Sequence, residues 1–209
     1  MKTIQRNRPA PPCLGEQAHS QPWQSFIGSA CHQDLDKHLR QEQQSLCCYC
    51  EGKIEAGDSH IEHMEPRNHN QRRTYDFDNL AISCNGGRVQ HCGHYKDDKY
   101  QNPNYRWNTT QFADPHDPAT AGLFQYLSDG SIVATAANPA QAKYMIGYLG
   151  LDCAHLVDRR KSHARNLLDI LGAMPNEELV TWLRQHYLHP DANGQSAAFY
   201  SLSKAILDP

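Results

Sequence analysis

From Pro22 to about Gln44, the apolar residues Trp23, Phe26, Ile27, Ala30 and Leu35 recur at helical spacing among Gln, Asp, Lys and Arg. That periodicity predicts one or two amphipathic helices. Ahead of it, Pro9, Pro11 and Pro12 argue against a regular helix and predict an extended arm over residues 1–19. Far downstream, "LFQYLSDGSIVATA" alternates Phe124 and Tyr126, then Ile132 and Ala134, around Asp129-Gly130, which is the pattern of a β-hairpin. Asn138-Pro139 then opens a helix whose stripe is Ala142, Met145, Ile146 and Leu149 and whose stop is Gly150. Further helices are predicted over about 153–171, 176–188 and 196–207, from the spacing of Leu156, Leu167, Leu168 and Leu171, and of Leu179, Trp182 and Leu183.

Between these apolar patterns lies a segment of different character. From Cys47 to about Tyr105 the chain is rich in Asp, Asn, Gly and His and has few long apolar runs. It is expected to lack a large hydrophobic core and to need a staple. The chain therefore reads as α+β, in three parts: an N-terminal arm and helix over 1–45, a polar core over 46–105, and a β-hairpin plus helical region over 106–209. It shows no internal repeat and no low-complexity tract.

Composition narrows the function. At 209 residues, the chain can bury a self-sufficient core. Mean hydropathy is low at −0.75, but ten Tyr, five Phe and three Trp supply bulk for packing. A net charge of −3 excludes a general polyanion-attracting field, so nucleic-acid contact must be local or shared with a partner. The first residues have no apolar stretch of the kind a secretory signal needs, and nothing approaches the roughly 18 apolar residues of a membrane span. The reading is a cytoplasmic protein with no membrane partner and with reduced thiols. Five of its eight Cys fall between residues 47 and 92, which in that compartment argues for metal over disulfides.

Cys47 and Cys50 have the C-x2-C spacing that brings two thiolates to one ion, and Cys84 and Cys92 form a looser second pair. Four soft ligands favour structural Zn2+, which would supply folding free energy to a core-poor segment. Cys48 competes with Cys47 for one role. The residues between Cys84 and Cys92 are read as a flexible loop, and Cys13, Cys31 and Cys153 as isolated packing residues.

The order of the remaining elements carries the chemistry. "HIEHMEP" reads as a strand end, "YDFDNLAISC" as a second strand, and "HCGHYKDDK" as the start of a short helix. The string E-H-x-x-P, then D-N-L, then C-x-x-x-K, interleaved with the cysteine pairs, resembles the HNH endonuclease motif over about fifty residues. That resemblance implies a small zinc-pinned ββα-metal core and one catalytic divalent ion, Mg2+ or Mn2+. It further implies that Glu62 binds this ion, that His63 is the general base, with an ordinary pKa near neutrality, and that Asn79 holds the loop that orients it. In the family the last metal ligand directly follows the final cysteine, where this chain has Gly93. The resemblance then leaves His94 or His91 to substitute, with His94 favoured and His91 the one nearer the zinc. His60 shares the strand face of Glu62 and is expected to be exposed, with a role as an extra ligand as the alternative. His69 is expected at a loop tip, and Arg67, Arg72 and Arg73 form a small basic patch suited either to phosphates or to solvent.

The likeness extends further. "CCYCEGKI", "HIEHMEPR", "YDFDNLAISC", "FQYLSDGSI" and "YMIGYLGLDCAHLVDRRKSH" together resemble the HNH component, PtuB, of Septu-type and retron-associated antiphage systems. This implies a nuclease acting on DNA or RNA with a PtuA-type ATPase partner and, in retron versions, a reverse transcriptase with its RNA-linked DNA. Arg159, Arg160, Lys161 and Arg165 on one helical stretch are candidates for nucleic-acid or partner contact. The competing expectation is a non-catalytic zinc-stabilised module that binds nucleic acid or protein.

Overall fold

The structure is a computed structural model that describes residues 1–55, 57–86, 91–104, 106–173 and 176–208. It is α+β. In order, the elements are α1 (Pro12–Gly15), α2 (Trp23–Phe26), α3 (Ala30–Glu42), β1 (Ser59–His63), β2 (Leu80–Cys84), α4 (Cys92–Lys96), α5 (Pro118–Ala121), β3 (Phe124–Tyr126), β4 (Ile132–Ala134), α6 (Pro139–Leu149), α7 (Ala154–Ala173), α8 (Glu177–Leu188) and α9 (Tyr200–Leu207). Each sheet has two antiparallel strands. In the first, His60 faces Ser83, Glu62 faces Ala81 and His63 faces Leu80; in the second, Gln125 faces Val133.

The helices begin and end where local chemistry dictates. Ser29 caps α3 by accepting from the His32 amide at 3.1 Å, and Leu35 and Leu39 form its buried stripe. Asn138 caps α6, Pro139 takes its first turn, and Gly150 ends it in the left-handed region at φ 60°. At the hairpin turn Gly130 has φ +89°, and a Cβ there would lie 2.1 Å from the Val157 carbonyl of α7. Only glycine lets this turn close so near the helix.

A large apolar cluster runs from Met1 and Ile4 through Leu35, Tyr49, Ile61, Leu80 and Ile82 to Met145, Leu149, Leu156 and Leu202, and a smaller one of Leu167, Leu183 and Leu207 joins the last three helices. The polar central segment thus buries its strands against its neighbours rather than against itself. β2 is clamped on its free edge, because the Gln43 side chain donates to the Leu46 and Ile82 carbonyls, each at 2.8 Å, and accepts from the Ile82 amide at 2.6 Å. α4 is held from behind by Asn102, which donates to the carbonyls of Tyr95 (3.1 Å) and of Tyr148 in α6 (2.9 Å).

Four expectations change. The N-terminal arm is packed: Met1, Ile4 and Leu14 are buried, and Pro12 starts α1, because proline is compatible with a first helical turn. Arg6 donates to Glu42 at 2.6 Å and to the Phe77 and Leu80 carbonyls, bracing the approach to β2. Cys13 and Cys31 form a disulfide between α1 and α3; eighteen residues apart in sequence, they were expected to stand alone. Arg160 is buried, 1% exposed, and donates to the Leu151 carbonyl, so it belongs to the interior and not to a basic surface. The last helix starts at Tyr200 instead of near 196, because the amides of Ser196 and Phe199 are taken by the carbonyls of Gln44 and Glu51. Of the loop expected between Cys84 and Cys92, residues 87–90 lie outside the described residues.

Candidate metal centres

The turn after α3, the end of β2 and the start of α4 bring the sulfurs together. Cys47, Cys50, Cys84 and Cys92 are buried, and their Sγ atoms all lie within 4.8 Å of one another. Cys50 and Cys84 are 3.7 Å apart, close to the edge of about 3.8 Å that a tetrahedron with zinc–sulfur bonds of about 2.3 Å requires. Two backbone amides point at sulfur, Gly52 to Cys50 at 3.4 Å and Cys84 to Cys47 at 3.3 Å, a common means of stabilising negative thiolates. Burial opposes ionisation of Cys47, yet hydrogen bonds from Cys48, Cys50, Cys84 and Cys92 carry its pKa well below the ordinary thiol value. Burial and the neighbouring sulfurs push Cys92 the other way. Four thiols this close cannot all ionise without a cation among them, so the donor set fits a metal ion such as zinc. Cys48 lies outside the set; burial and the charge of its neighbours hold its thiol protonated.

Adjacent residues of β1 meet different partners. Glu62 is 3% exposed and lies on the side of α4. Its Oε1 accepts from the Tyr49 hydroxyl at 3.0 Å and pairs with the Lys96 ammonium at 3.2 Å, while its Oε2 is 3.2 Å from His60 Nε2. Burial by itself would raise the Glu62 pKa; Lys96, His60 and Tyr49 outweigh it and bring the carboxyl down to about 2. It is an ionised, buried carboxylate. Lys96 is fully buried and also reaches the His63 carbonyl at 3.1 Å and Asp97 at 2.7 Å. Despite burial, the Glu62 and Asp97 carboxylates keep its pKa above the ordinary lysine value.

His63 meets a different set of groups. Its Nε2 lies 3.0 Å from the Thr74 carbonyl. A carbonyl only accepts, so Nε2 carries the proton and Nδ1 the lone pair. Trp23 packs edge-on against the ring, with centroids 4.4 Å apart, and the Arg67 guanidinium lies over that indole. Burial lowers the His63 pKa to about 4, with Arg67 adding to the effect and Thr74 opposing it. The ring is neutral at physiological pH, lower than the near-neutral value expected for it. Asn79, 1% exposed, accepts from the Glu65 amide at 2.7 Å and donates to the Glu65 and Arg73 carbonyls, each at 3.1 Å. It thus ties together both ends of the loop that carries Thr74.

The other expected residues separate. His91 sits with the sulfurs, its Nδ1 3.1 Å from Cys92 Sγ and 3.8 Å from Cys84 Sγ. His94 is exposed and stacks face-to-face on His60, with centroids 4.0 Å apart and planes 8° apart. His60, expected to be exposed, is largely covered, because Asn85 and Glu62 hold its two nitrogens. His69 and Arg73 both pair with Glu65, which leaves Arg67 and Arg72 as the less engaged part of the basic patch. Sequence reasoning overlooked Tyr49, Trp23, Thr74 and Gln43, which act through backbone or long-range contacts that spacing does not reveal. Lys96 was legible only as the last letter of a motif.

Strand, strand and short helix stand in the order expected of an HNH endonuclease, with an acid–imidazole pair at the end of the first strand. No family model matches the chain. Over 140 residues it is 29% identical to a protein of Vibrio cholerae serotype O1 biovar El Tor named "Retron Vc95 putative HNH endonuclease", the match covering 63% of this chain and 63% of that protein. The chain thus matches less than two thirds of the relative's length. The likeness bears out the resemblance to retron-associated HNH endonucleases. Among the described residues no helix is long and apolar enough to cross a membrane.

Proposed function

We propose that the protein is a metal-dependent HNH endonuclease that hydrolyses phosphodiester bonds of DNA or RNA. The observation that carries this reading is His63: a neutral imidazole with its proton committed to the Thr74 carbonyl next to an ionised, buried Glu62. Cys47, Cys50, Cys84 and Cys92 would hold a structural Zn2+. Glu62, with a histidine beside it, would hold a catalytic Mg2+ or Mn2+, and a buried carboxylate fits a hard cation. When bound, that ion would neutralise charge on the scissile phosphate and on the departing oxygen.

The protein's own groups perform the remaining work. Nδ1 of His63 takes a proton from water, and the resulting hydroxide attacks phosphorus. The bond from phosphorus to the 3′ oxygen breaks, and that oxygen gains a proton, leaving 5′-phosphate and 3′-hydroxyl ends. Thr74 keeps the ring in the tautomer that can accept, Trp23 fixes its tilt, and Asn79 secures the Thr74 loop. Arg67 and Arg72 would meet backbone phosphates, which positions a substrate without reading its sequence.

The retron named in the relative supports a place in an antiphage complex, with a PtuA-type ATPase and a retron reverse transcriptase with its RNA-linked DNA as the partners to test. A weak net charge of −3 accords with borrowing substrate grip from such partners. The test is to incubate the zinc-loaded protein, alone and with an ATPase partner, with plasmid and with cellular RNA in Mg2+. Cleavage is expected, and His63→Ala should slow it by about 10²–10⁴-fold. A wild-type protein that binds nucleic acid but never cuts would favour the non-catalytic zinc-stabilised module, in which the Lys96 ammonium neutralises Glu62 in place of a catalytic ion.

A further inference from the structure

Gly93 occupies the position where the HNH motif carries its last ligand, and the structure shows what fills the space. A Cβ built there would lie 2.4 Å from Glu62 Oε2 and 2.6 Å from His60 Nε2. No side chain fits without moving both. The room that a helix-borne ligand would use is therefore taken by a ring from β1.

The hydrogen bonds of that ring fix its chemistry. His60 Nδ1 lies 2.8 Å from the Asn85 side-chain oxygen, an acceptor, and the Asn85 amide nitrogen is turned toward the Gly57 carbonyl at 3.4 Å. Nδ1 therefore carries the proton, and in the neutral ring Nε2 presents a lone pair to Glu62 Oε2 at 3.2 Å. Two acceptors so close require something positive between them, either a proton or a metal. An N–H donated to an outer-shell oxygen is also the usual support of a metal-binding imidazole. The separation matches the roughly 3 Å between neighbouring donors around an ion with ligand distances of about 2.1 Å.

His94 cannot share this task from its present position. An imidazole binds a metal in its own plane, along the nitrogen lone pair. The His60 and His94 rings are stacked and nearly parallel, so an ion in the plane of one lies well out of the plane of the other. His94 shields the outer face of His60.

We propose that His60 supplies the nitrogen ligand of the catalytic dication beside Glu62, with Gly93 leaving the space in which its ring stands. This rests on the endonuclease reading and replaces His94 in it. A site of one nitrogen and one carboxylate oxygen leaves the other positions of a Mg2+-sized ion to water and phosphate oxygens, as such ions prefer.

The test is Mn2+ binding to the zinc-loaded protein, by calorimetry and by pulsed EPR of the bound Mn2+. The wild type should show one Mn2+ with coupling to an imidazole nitrogen. His60→Ala should weaken Mn2+ at least tenfold and remove that coupling, whereas His94→Ala should keep the coupling and change affinity less than threefold. His60→Gln, which retains a polar side chain but no imidazole, should lose the coupling as well, and one zinc per chain verifies that each variant is folded. Coupling that survives in His60→Ala or His60→Gln, or that is lost in His94→Ala, overturns the proposal. If the wild type cleaves and binds Mn2+ but His60 is dispensable, the endonuclease reading stands and this assignment alone falls. If the wild type neither binds Mn2+ nor cleaves, both fall.

Discussion

Two clusters of donor atoms flank the same two-stranded ribbon, and they are built on opposite principles. At one, four soft sulfurs converge from every side, all buried, with backbone amides pointing at them. At the other, a carboxylate and one imidazole nitrogen meet at 3.2 Å, a lysine braces the far oxygen, and Gly93 contributes only space. The first is closed on all sides, so an ion there has no position left for a reactant and can only hold the fold. The second is incomplete as a cage, and incompleteness is what chemistry on a phosphate requires. A region that cannot build its own apolar core can thus place a reactive site next to its staple, because the staple spares the site from carrying the fold.

The largest expected effect tests the staple. A structural zinc supplies on the order of 10 kcal/mol of apparent folding free energy. Cys47→Ser or Cys84→Ser should therefore release the one zinc per chain and lower the melting temperature more than any change at the Glu62 site. Cys48→Ser should leave zinc content unchanged by metal analysis; release there would break the contrast. Next is His63→Ala, which should cut the cleavage rate by about 10²–10⁴-fold while zinc content and melting temperature stay near wild type. A variant that unfolds instead would make His63 part of the scaffold.

A smaller effect is expected from Gly93→Ala. Its methyl meets Glu62 and His60 at 2.4 and 2.6 Å, so overpacking should cost about 1–3 kcal/mol in denaturant unfolding, and Mn2+ affinity should fall with it. The smallest concerns a residue outside both sites. Burial lowers the pKa of His163 from 6.5, where its Nε2 meets Ser203 Oγ at 2.8 Å and its ring packs between Tyr187 and Phe199. The unfolded chain takes up this proton more readily, so the stability His163 contributes is present above pH 6.5 and is lost as the pH falls toward its folded pKa. His163→Gln should flatten the decline of melting temperature with acid, measured from about pH 7 to pH 5.

The chain's own letters determined much of this molecule. Helix α6 was legible from Asn138-Pro139 to Gly150, because caps and stops act within a few residues. The hairpin was legible from Asp129-Gly130, and the four sulfurs from their spacing, because those signals are also local or chemically rare. His60 could be placed on the strand face of Glu62 for the same reason. What spacing could not reveal was set by contacts across tens of residues: Cys13 meeting Cys31, Arg160 turned inward, Glu51 holding the start of the last helix, and Tyr49 and Lys96 bracing Glu62. His60 shows the limit most clearly. Two positions before Glu62, it reads as a surface histidine until β2 brings Asn85 to one side of its ring and α4 leaves Gly93 empty on the other. Burial, partner and tautomer belong to the assembled neighbourhood, and only the tertiary structure creates that neighbourhood.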